Sequence, residues 1–131
     1  MSMEQGHLTN TQEKDAELIE VMIKKVVSGK GFEEIKANVD GYETPSKLRD
    51  RKQEDKFFIP DVTGKINGRK SYFELGMKTT DERELVTKWR ILSNLANYKN
   101  GKLYLAVPRG HMAFTNRIVA DYQIKAEIVK I

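Results

Sequence analysis

The feature that most constrains the fold is the Asn67-Gly68 dipeptide, which separates two runs of alternating apolar and polar residues within the segment 57–78. Asn-Gly between such runs is the strongest short-range signal for a β-hairpin. If the pair forms a two-residue turn, the register that follows places Asp61 directly opposite Glu74. A three-residue loop with a bulge would shift this register, so the pairing depends on which turn forms.

Residues alternate between the two faces of a strand, which divides the hairpin into a core face and a second face. The core face is expected to carry Phe58, Val62, Ile66, Phe73, Leu75 and Met77. The second face carries Asp61 and Glu74, with Cβ atoms about 4.5–5.5 Å apart, an arrangement that destabilises a sheet unless it is neutralised. Either a divalent cation such as Mg²⁺ lies between the carboxylates, or Lys65, Lys70 and Lys78 neutralise them at a solvated surface.

Length and composition bound the class of protein. A chain of 131 residues with 39% hydrophobic and 32% charged residues is typical of one globular domain. We expect residues 1–10 to form a disordered tail and residues 11–131 to form that domain. The absence of cysteine excludes disulfides, thiolate zinc sites and cysteine nucleophiles. No apolar run has transmembrane length and no signal peptide is present, so we expect a cytoplasmic protein without a membrane partner.

The basic charge is concentrated in one region. Between residues 45 and 70 there are eight basic and four acidic residues, so this segment carries an excess equal to the chain's whole net charge of +4. A basic rim beside an acidic metal site suits a phosphodiester substrate. The alternative is a lysine-rich loop that only increases solubility.

Periodicity along the chain predicts an α/β protein with a mixed β-sheet flanked by helices, in the order α-β-β-β-α-β-α-β. The elements are a helix at 12–27, a strand at 31–39, the hairpin, a helix after Thr79, a strand at 102–107, a helix at 111–121 and a strand at 124–131. Residues 45–56 form a long polar connection. Thr79 and Glu82 have capping-box spacing. Asp15 lies beside the apolar stripe of the first helix, where a helix-dipole role is the alternative to a site role.

This order, together with several short motifs, resembles the PD-(D/E)XK nuclease-like superfamily, whose members have a restriction endonuclease-like core. The residues that carry the resemblance are Pro60-Asp61, Glu74 across the hairpin, Lys88-Trp89 on the following helix, and Val107-Pro108 at the end of a strand. The segment 31–45, GFEEIKANVDGYETP, also resembles small prokaryotic members. The resemblance covers nearly the whole chain from Gln12.

The resemblance implies a metal site that holds Mg²⁺ (or Mn²⁺). Asp61 and Glu74 would be its ligands, the backbone carbonyl of Leu75 would be a third, and an acid of the first helix, Asp15 or Glu17, would complete it. A bound metal polarises the phosphate and lowers the pKa of water.

The family's lysine, which orients or activates water, is missing from its usual position, because Gly76 stands there. Lys78 lies on the same face but about 6–7 Å further along the strand. We take Lys78 as the catalytic lysine, with Lys88 of the next helix as a substitute.

The function implied is that of a magnesium-dependent endonuclease-like hydrolase acting on nucleic-acid phosphodiesters, with DNA as the expected partner. Five basic residues are expected to bind nucleic acid: Arg49, Arg51, Lys52, Lys56 and Lys65. The alternative is a catalytically degenerate module that binds nucleic acid or a partner protein without turnover. A homodimer is a further expectation from the resemblance.

Overall fold

The computed structural model describes residues 10–52 and 56–131. Its elements in chain order are α1 (Asn10–Met22), continued by a π-helical turn (Ile23–Val27), β1 (Glu33–Ala37), β2 (Leu48–Arg49), β3 (Phe57–Phe58), β4 (Val62–Ile66), β5 (Arg69–Leu75), α2 (Glu82–Tyr98), β6 (Leu103–Val107), α3 (Met112–Asp121) and β7 (Glu127–Lys130). Residues 1–9 of the predicted disordered tail lie outside the described residues, whereas Asn10 is the first residue of α1.

The described strands form one five-stranded sheet in the order β1-β4-β5-β6-β7. Strands β1, β4 and β5 are antiparallel, and β6 and β7 run parallel to β5. The two parallel connections contain α2 and α3, as crossovers between parallel strands require. The predicted α/β class and mixed sheet are therefore confirmed, and the strands of this sheet and the helices follow the predicted order. An additional antiparallel ribbon was not predicted: β2 lies within the connection expected to be irregular, and β3 lies at the start of the segment assigned to the hairpin.

The hairpin forms in the predicted register. Ile66 pairs with Arg69, and the ladder continues to Val62 opposite Phe73. Asn67 and Gly68 have φ angles of 52° and 78°, the left-handed conformation that a two-residue turn of type I′ requires at both positions. The register therefore follows from the two residues of the turn.

The predicted core face of the hairpin is correct in part. Val62, Phe73 and Leu75 are buried against α1, and two more members of the predicted set, Ile66 and Met77, pack at the edge of the same cluster. Phe58 is buried as predicted, but its place in the hairpin was wrong, because it lies in β3 and pairs with Leu48 in the separate ribbon. The alternation rule fails there because the chain bends between β3 and β4.

Helices cover both faces of the sheet. The face of α1 contains an aromatic group in which Phe73 stacks on Tyr104 at 4.9 Å between ring centroids. The opposite face packs against α2 and α3 around the fully buried Trp89. Strand β6 is buried along its whole length, which explains its continuous apolar sequence. The second face of the hairpin is therefore also part of the interior.

The ends of α2 are fixed by local interactions. Asp81 caps the helix by accepting a hydrogen bond from the Glu84 N–H at 3.1 Å, in place of the predicted Thr79 and Glu82 capping box. The helix is followed by Gly101, where a Cβ would overlap the carbonyl oxygen of Lys70. Among the helices that the structure describes, none is both long and apolar enough to cross a membrane.

Candidate functional site

Asp61 and Glu74 meet where the β4–β5 ladder ends. The Asp61 backbone N–H donates to Oε2 of Glu74 at 2.7 Å, and the Leu75 backbone N–H donates to Oδ2 of Asp61 at 2.9 Å. Each carboxylate thus accepts a main-chain hydrogen bond from the opposite strand, in the place where ladder bonds would otherwise form. These two bonds fix the positions of both side chains.

The Leu75 carbonyl, predicted as a metal ligand, belongs to the same end of the strand. Within a strand, the N–H and C=O of one residue point towards the same neighbouring strand. Because the Leu75 N–H is directed at Asp61, its carbonyl also faces the side on which Asp61 lies. The backbone therefore places this oxygen on the correct side for the predicted role.

Lys88 of α2 lies between the two carboxylates. Its Nζ is 2.9 Å from Oε1 of Glu74 and 4.0 Å from Oδ1 of Asp61. The Glu74 side chain is 3% exposed and that of Lys88 is 20% exposed, so the ion pair is largely removed from water. Lys88 thus supplies positive charge where two negative charges would otherwise repel.

The pKa values reflect this burial. Desolvation raises the pKa of Glu74 to about 8, and repulsion from Asp61 adds to the rise, while the nearby Lys88 opposes it. Burial alone would lower the pKa of Lys88, but attraction to Glu74 and Asp61 outweighs it and raises this pKa above the usual value. Lys88 therefore remains protonated at neutral pH.

Lys78, the lysine selected from the sequence, lies elsewhere. Its side chain is exposed, and its backbone N–H donates to Nδ1 of His111 at 2.9 Å. Within residues 10–52 and 56–131, no ion pair joins it to Asp61 or Glu74. The structure therefore places Lys88, and not Lys78, beside the carboxylates, because the strand carries Lys78 beyond them while α2 brings Lys88 to them.

The solvated neutralisation that we considered as an alternative is also wrong. Glu74 is 2% exposed. Of the three lysines assigned to neutralise the pair, Lys65 instead bonds to Glu34 at 3.7 Å, and the Lys70 amine lies 5.5 Å from the centre of the Tyr72 ring.

The packing of α3 explains why glycine occupies position 76. A Cβ on Gly76 would lie 2.9 Å from Oγ1 of Thr115 and 3.0 Å from Cγ2 of Val107, and both side chains are fully buried. Contacts below about 3 Å cannot be accommodated without displacing α3 or β6. Position 76 is thus sterically closed to any residue larger than glycine in this packing.

Asp15 is the first-helix acid that lies near the site. Its Oδ1 is buried without a hydrogen-bond partner among the described residues. Burial raises its pKa, and repulsion from Asp61 contributes. Asp15 and Asp61 line the same groove of about 660 Å³. Glu17, the other candidate, is exposed.

The predicted basic residues fall into two groups. Arg49, Arg51 and Lys52 are exposed on or beside the β2–β3 ribbon. Lys56 instead forms an ion pair with Glu84 of α2, and Lys65 is paired as described above. The first group therefore remains the better candidate surface for binding phosphates.

Sequence reasoning named Lys88 only as a substitute, although a signal for it was present. Lys88 follows Leu85 by three residues and precedes Leu92 by four, so it lies on the apolar stripe of α2. A lysine within such a stripe requires a buried partner. Across the part of the chain that the structure describes, no three acidic or histidine side chains cluster closely enough to hold a metal by themselves.

The chain was compared with known proteins, and no family model, curated protein or solved structure matches it.

We predict that Lys88→Met destabilises the fold in a pH-dependent way. Removing one partner of a buried ion pair costs about 3–5 kcal/mol when the other stays charged. In the unsubstituted protein the raised folded-state pKa of Glu74 already lowers the free energy of unfolding as pH rises from about 4.5 to about 8, by up to about 1.4 kcal/mol per pH unit. Without Lys88 this pKa rises further, so in the variant the fall continues to higher pH. Urea unfolding of both proteins at pH 5.5 and 8.5 measures the extra loss in the variant, which should be larger at pH 8.5.

Lys78→Met is the control for this experiment, because an exposed side chain should change stability by less than about 0.5 kcal/mol. Adding Glu74→Gln to Lys88→Met should recover part of the loss at pH 8.5. Equal effects of the two lysine substitutions would contradict the assignment of Lys88 to the site.

We predict that Gly76→Ala lowers the free energy of unfolding by about 1–3 kcal/mol through overpacking. Thr115→Ala in the same chain removes two of the three nearest atoms, so it should restore part of the loss. A double-mutant cycle measured by urea unfolding gives the coupling, which should exceed about 0.5 kcal/mol. Strictly additive effects would show that α3 does not close this position.

Proposed function

We propose that this protein is a metal-dependent nuclease-like phosphodiesterase of the PD-(D/E)XK kind, hydrolysing phosphodiester bonds of nucleic acid. The observation that carries the proposal is the cluster at the end of the β4–β5 ladder. There Asp61, Glu74 and Lys88 lie in mutual contact, and Asp15 faces the same region from α1. Two main-chain-anchored carboxylates and a protonated lysine are the groups that such chemistry uses.

The topology supports a restriction endonuclease-like core. The main sheet has the element order that the resemblance implies, and the two acids lie on adjacent antiparallel strands beside the parallel part of the sheet. The sequence departs from the family's pattern at position 76, where glycine stands in place of the lysine. Because Lys88 reaches the carboxylates from α2, the set of charged groups is retained although one of them comes from a different element.

The residues present fit a hard divalent cation such as Mg²⁺ (or Mn²⁺). Asp61, Glu74 and the Leu75 carbonyl would hold it, which suits an ion that needs only one or two carboxylates and keeps several waters. The Oδ1 of Asp15 is a buried polar atom without a hydrogen-bond partner among the described residues, and two carboxyl groups, those of Asp61 and Glu74, lie within 4.0 Å of the Lys88 ammonium. When bound, the metal supplies charge stabilisation at the phosphate and a lower pKa for water.

The protein's own groups perform three tasks in this proposal. The main-chain hydrogen bonds to Asp61 and Glu74 hold the carboxylates in place before substrate arrives. Lys88 orients Glu74 and can donate a hydrogen bond to a phosphate oxygen. The exposed Arg49, Arg51 and Lys52 offset the repulsion between the acidic cluster and the phosphate backbone.

The second candidate is a catalytically degenerate module that binds nucleic acid or a partner protein without turnover. It is favoured by the ion pair itself, because the Lys88 ammonium already bonds to Glu74 at 2.9 Å. A lysine in this position competes with a cation for the same oxygens. A homodimer remains a prediction of the resemblance under either candidate.

We predict that Mg²⁺ or Mn²⁺ supports cleavage of DNA and that Asp61→Asn reduces it more than about 100-fold, because metal charge stabilisation is worth several kcal/mol. Glu74→Gln and Lys88→Met should have comparable effects, whereas Lys78→Met should leave the rate within about twofold. Cleavage of labelled single-stranded and duplex DNA, with and without a chelator, provides the measurement. RNA substrates of the same sequence establish the sugar preference.

Calorimetric titration with Mn²⁺ separates the two candidates. If the unsubstituted protein binds Mn²⁺ and cleaves DNA, and Glu74→Gln abolishes the metal binding, the result supports the enzyme. Metal-independent binding of nucleic acid without cleavage identifies the degenerate module. Cleavage at the normal rate by Asp61→Asn would refute the assignment of the site.

A further inference from the structure

The β2–β3 ribbon presents an aromatic ring surrounded by positive charge. Phe57 is 48% exposed and is one of three exposed large apolar side chains among the described residues. The Lys47 Nζ lies 5.8 Å and the Arg49 Cζ 5.5 Å from the centre of its ring. Arg49 is directly opposite Phe57 in the ribbon. Both cations therefore lie close to the ring, which still has about half of its surface open to solvent.

Among the residues that the structure describes, the charge around this ring is positive. Lys47, Arg49, Arg51 and Lys52 are all exposed. The described acid between them, Asp50, is 5% exposed, and its carboxylate accepts a hydrogen bond from the Lys52 backbone N–H at 3.0 Å. Burial thus withdraws the negative charge of Asp50 from the surface, while these four cations face solvent.

The ribbon is adjacent to the carboxylate cluster. Lys56, the residue before β3, forms an ion pair with Glu84, which lies one turn before Lys88 on α2. Leu48 of the ribbon packs against the apolar cluster on the α2 side of the sheet. Asp61 follows Phe57 by four positions in the chain, a span of at most about 14 Å.

We propose that Phe57 is a stacking platform for an unpaired base of a single-stranded nucleic acid, whose flanking phosphates bind Lys47 and Arg49. Aromatic rings interleaved with cations bind single strands in this way, because every base has a π-face and the backbone is anionic. A duplex keeps its bases stacked inside the helix, so it cannot use the ring without local opening. The inference rests on the proposed function, of which it specifies the substrate: a single strand, or a duplex with an unpaired end.

The alternative occupants fit the surface less well. A protein partner would normally cover more apolar area than one half-exposed ring provides. A ring held by cations on a two-residue ribbon contributes nothing to the main core, as neither apolar cluster includes Phe57. Positive charge that surrounds an exposed aromatic side chain is complementary to a base and its phosphates.

The test measures binding of a labelled 15-nucleotide oligo-dT by fluorescence anisotropy, in chelator so that cleavage does not interfere. Phe57→Ala should weaken binding about 5- to 150-fold, because stacking on one aromatic residue is worth roughly 1–3 kcal/mol. Phe57→Tyr should retain binding within about twofold. Arg49→Ala should weaken binding and make it less dependent on salt, because one phosphate contact is lost.

Tyr98→Ala is the matched control. Tyr98 is 84% exposed at the end of α2, away from the ribbon, so its removal should leave affinity unchanged. Thermal unfolding of each variant checks that the fold is intact. A 15-base-pair duplex should bind more weakly than the single strand, and oligo-U compared with oligo-dT shows whether the sugar matters.

The proposal would be overturned if Phe57→Ala bound oligo-dT with the same affinity as the unsubstituted protein. Equal affinity for duplex and single strand would also overturn it. So would an equal loss of affinity in Phe57→Ala and Tyr98→Ala. A failure of the proposed function would give a different set of results from a failure of the stacking platform. Single-strand binding that depends on Phe57, without metal-dependent cleavage, would support the platform and reject the nuclease. Metal-dependent cleavage that is unaffected by Phe57→Ala at low substrate concentration would support the nuclease and reject the stacking platform.

Discussion

The burial of two opposed carboxylates is the constraint on which the rest of the site depends. Like charges across a β-ladder are destabilising, and removal from water increases the penalty. Two main-chain N–H groups and the ammonium of Lys88 offset that penalty. Because Lys88 belongs to α2, the site is complete only when this helix packs on the sheet, which couples the chemistry of the hairpin to the main core around Trp89.

The position of the lysine follows from how closely α3 approaches β5. Thr115 and Val107 occupy the volume beside Gly76 that a longer side chain would require. The same face of the sheet is covered by α2, whose apolar stripe brings Lys88 over Glu74. Close packing at one position and a buried lysine at another are therefore two consequences of the same arrangement of helices.

The features that could be predicted from the sequence are mainly those determined by residues close together in the chain. Asn67 and Gly68 determine the turn, and through it the register that brings Asp61 to Glu74. The choice between Lys78 and Lys88 could not be made in this way, because it depends on the path of α2 through space. The β2–β3 ribbon was missed for a related reason, since strands of two residues carry no periodicity.

The carboxylate cluster is acidic and the adjacent β2–β3 ribbon carries exposed basic residues. An acidic cluster alone repels the phosphate backbone of a nucleic acid, so it needs an external source of attraction. The ribbon carries exposed cations and its strand β3 ends three residues before Asp61, and the ion pair between Lys56 and Glu84 joins it to the helix that carries Lys88. If an anionic strand binds the ribbon as proposed, it would be held beside the carboxylates, although these groups by themselves would exclude it.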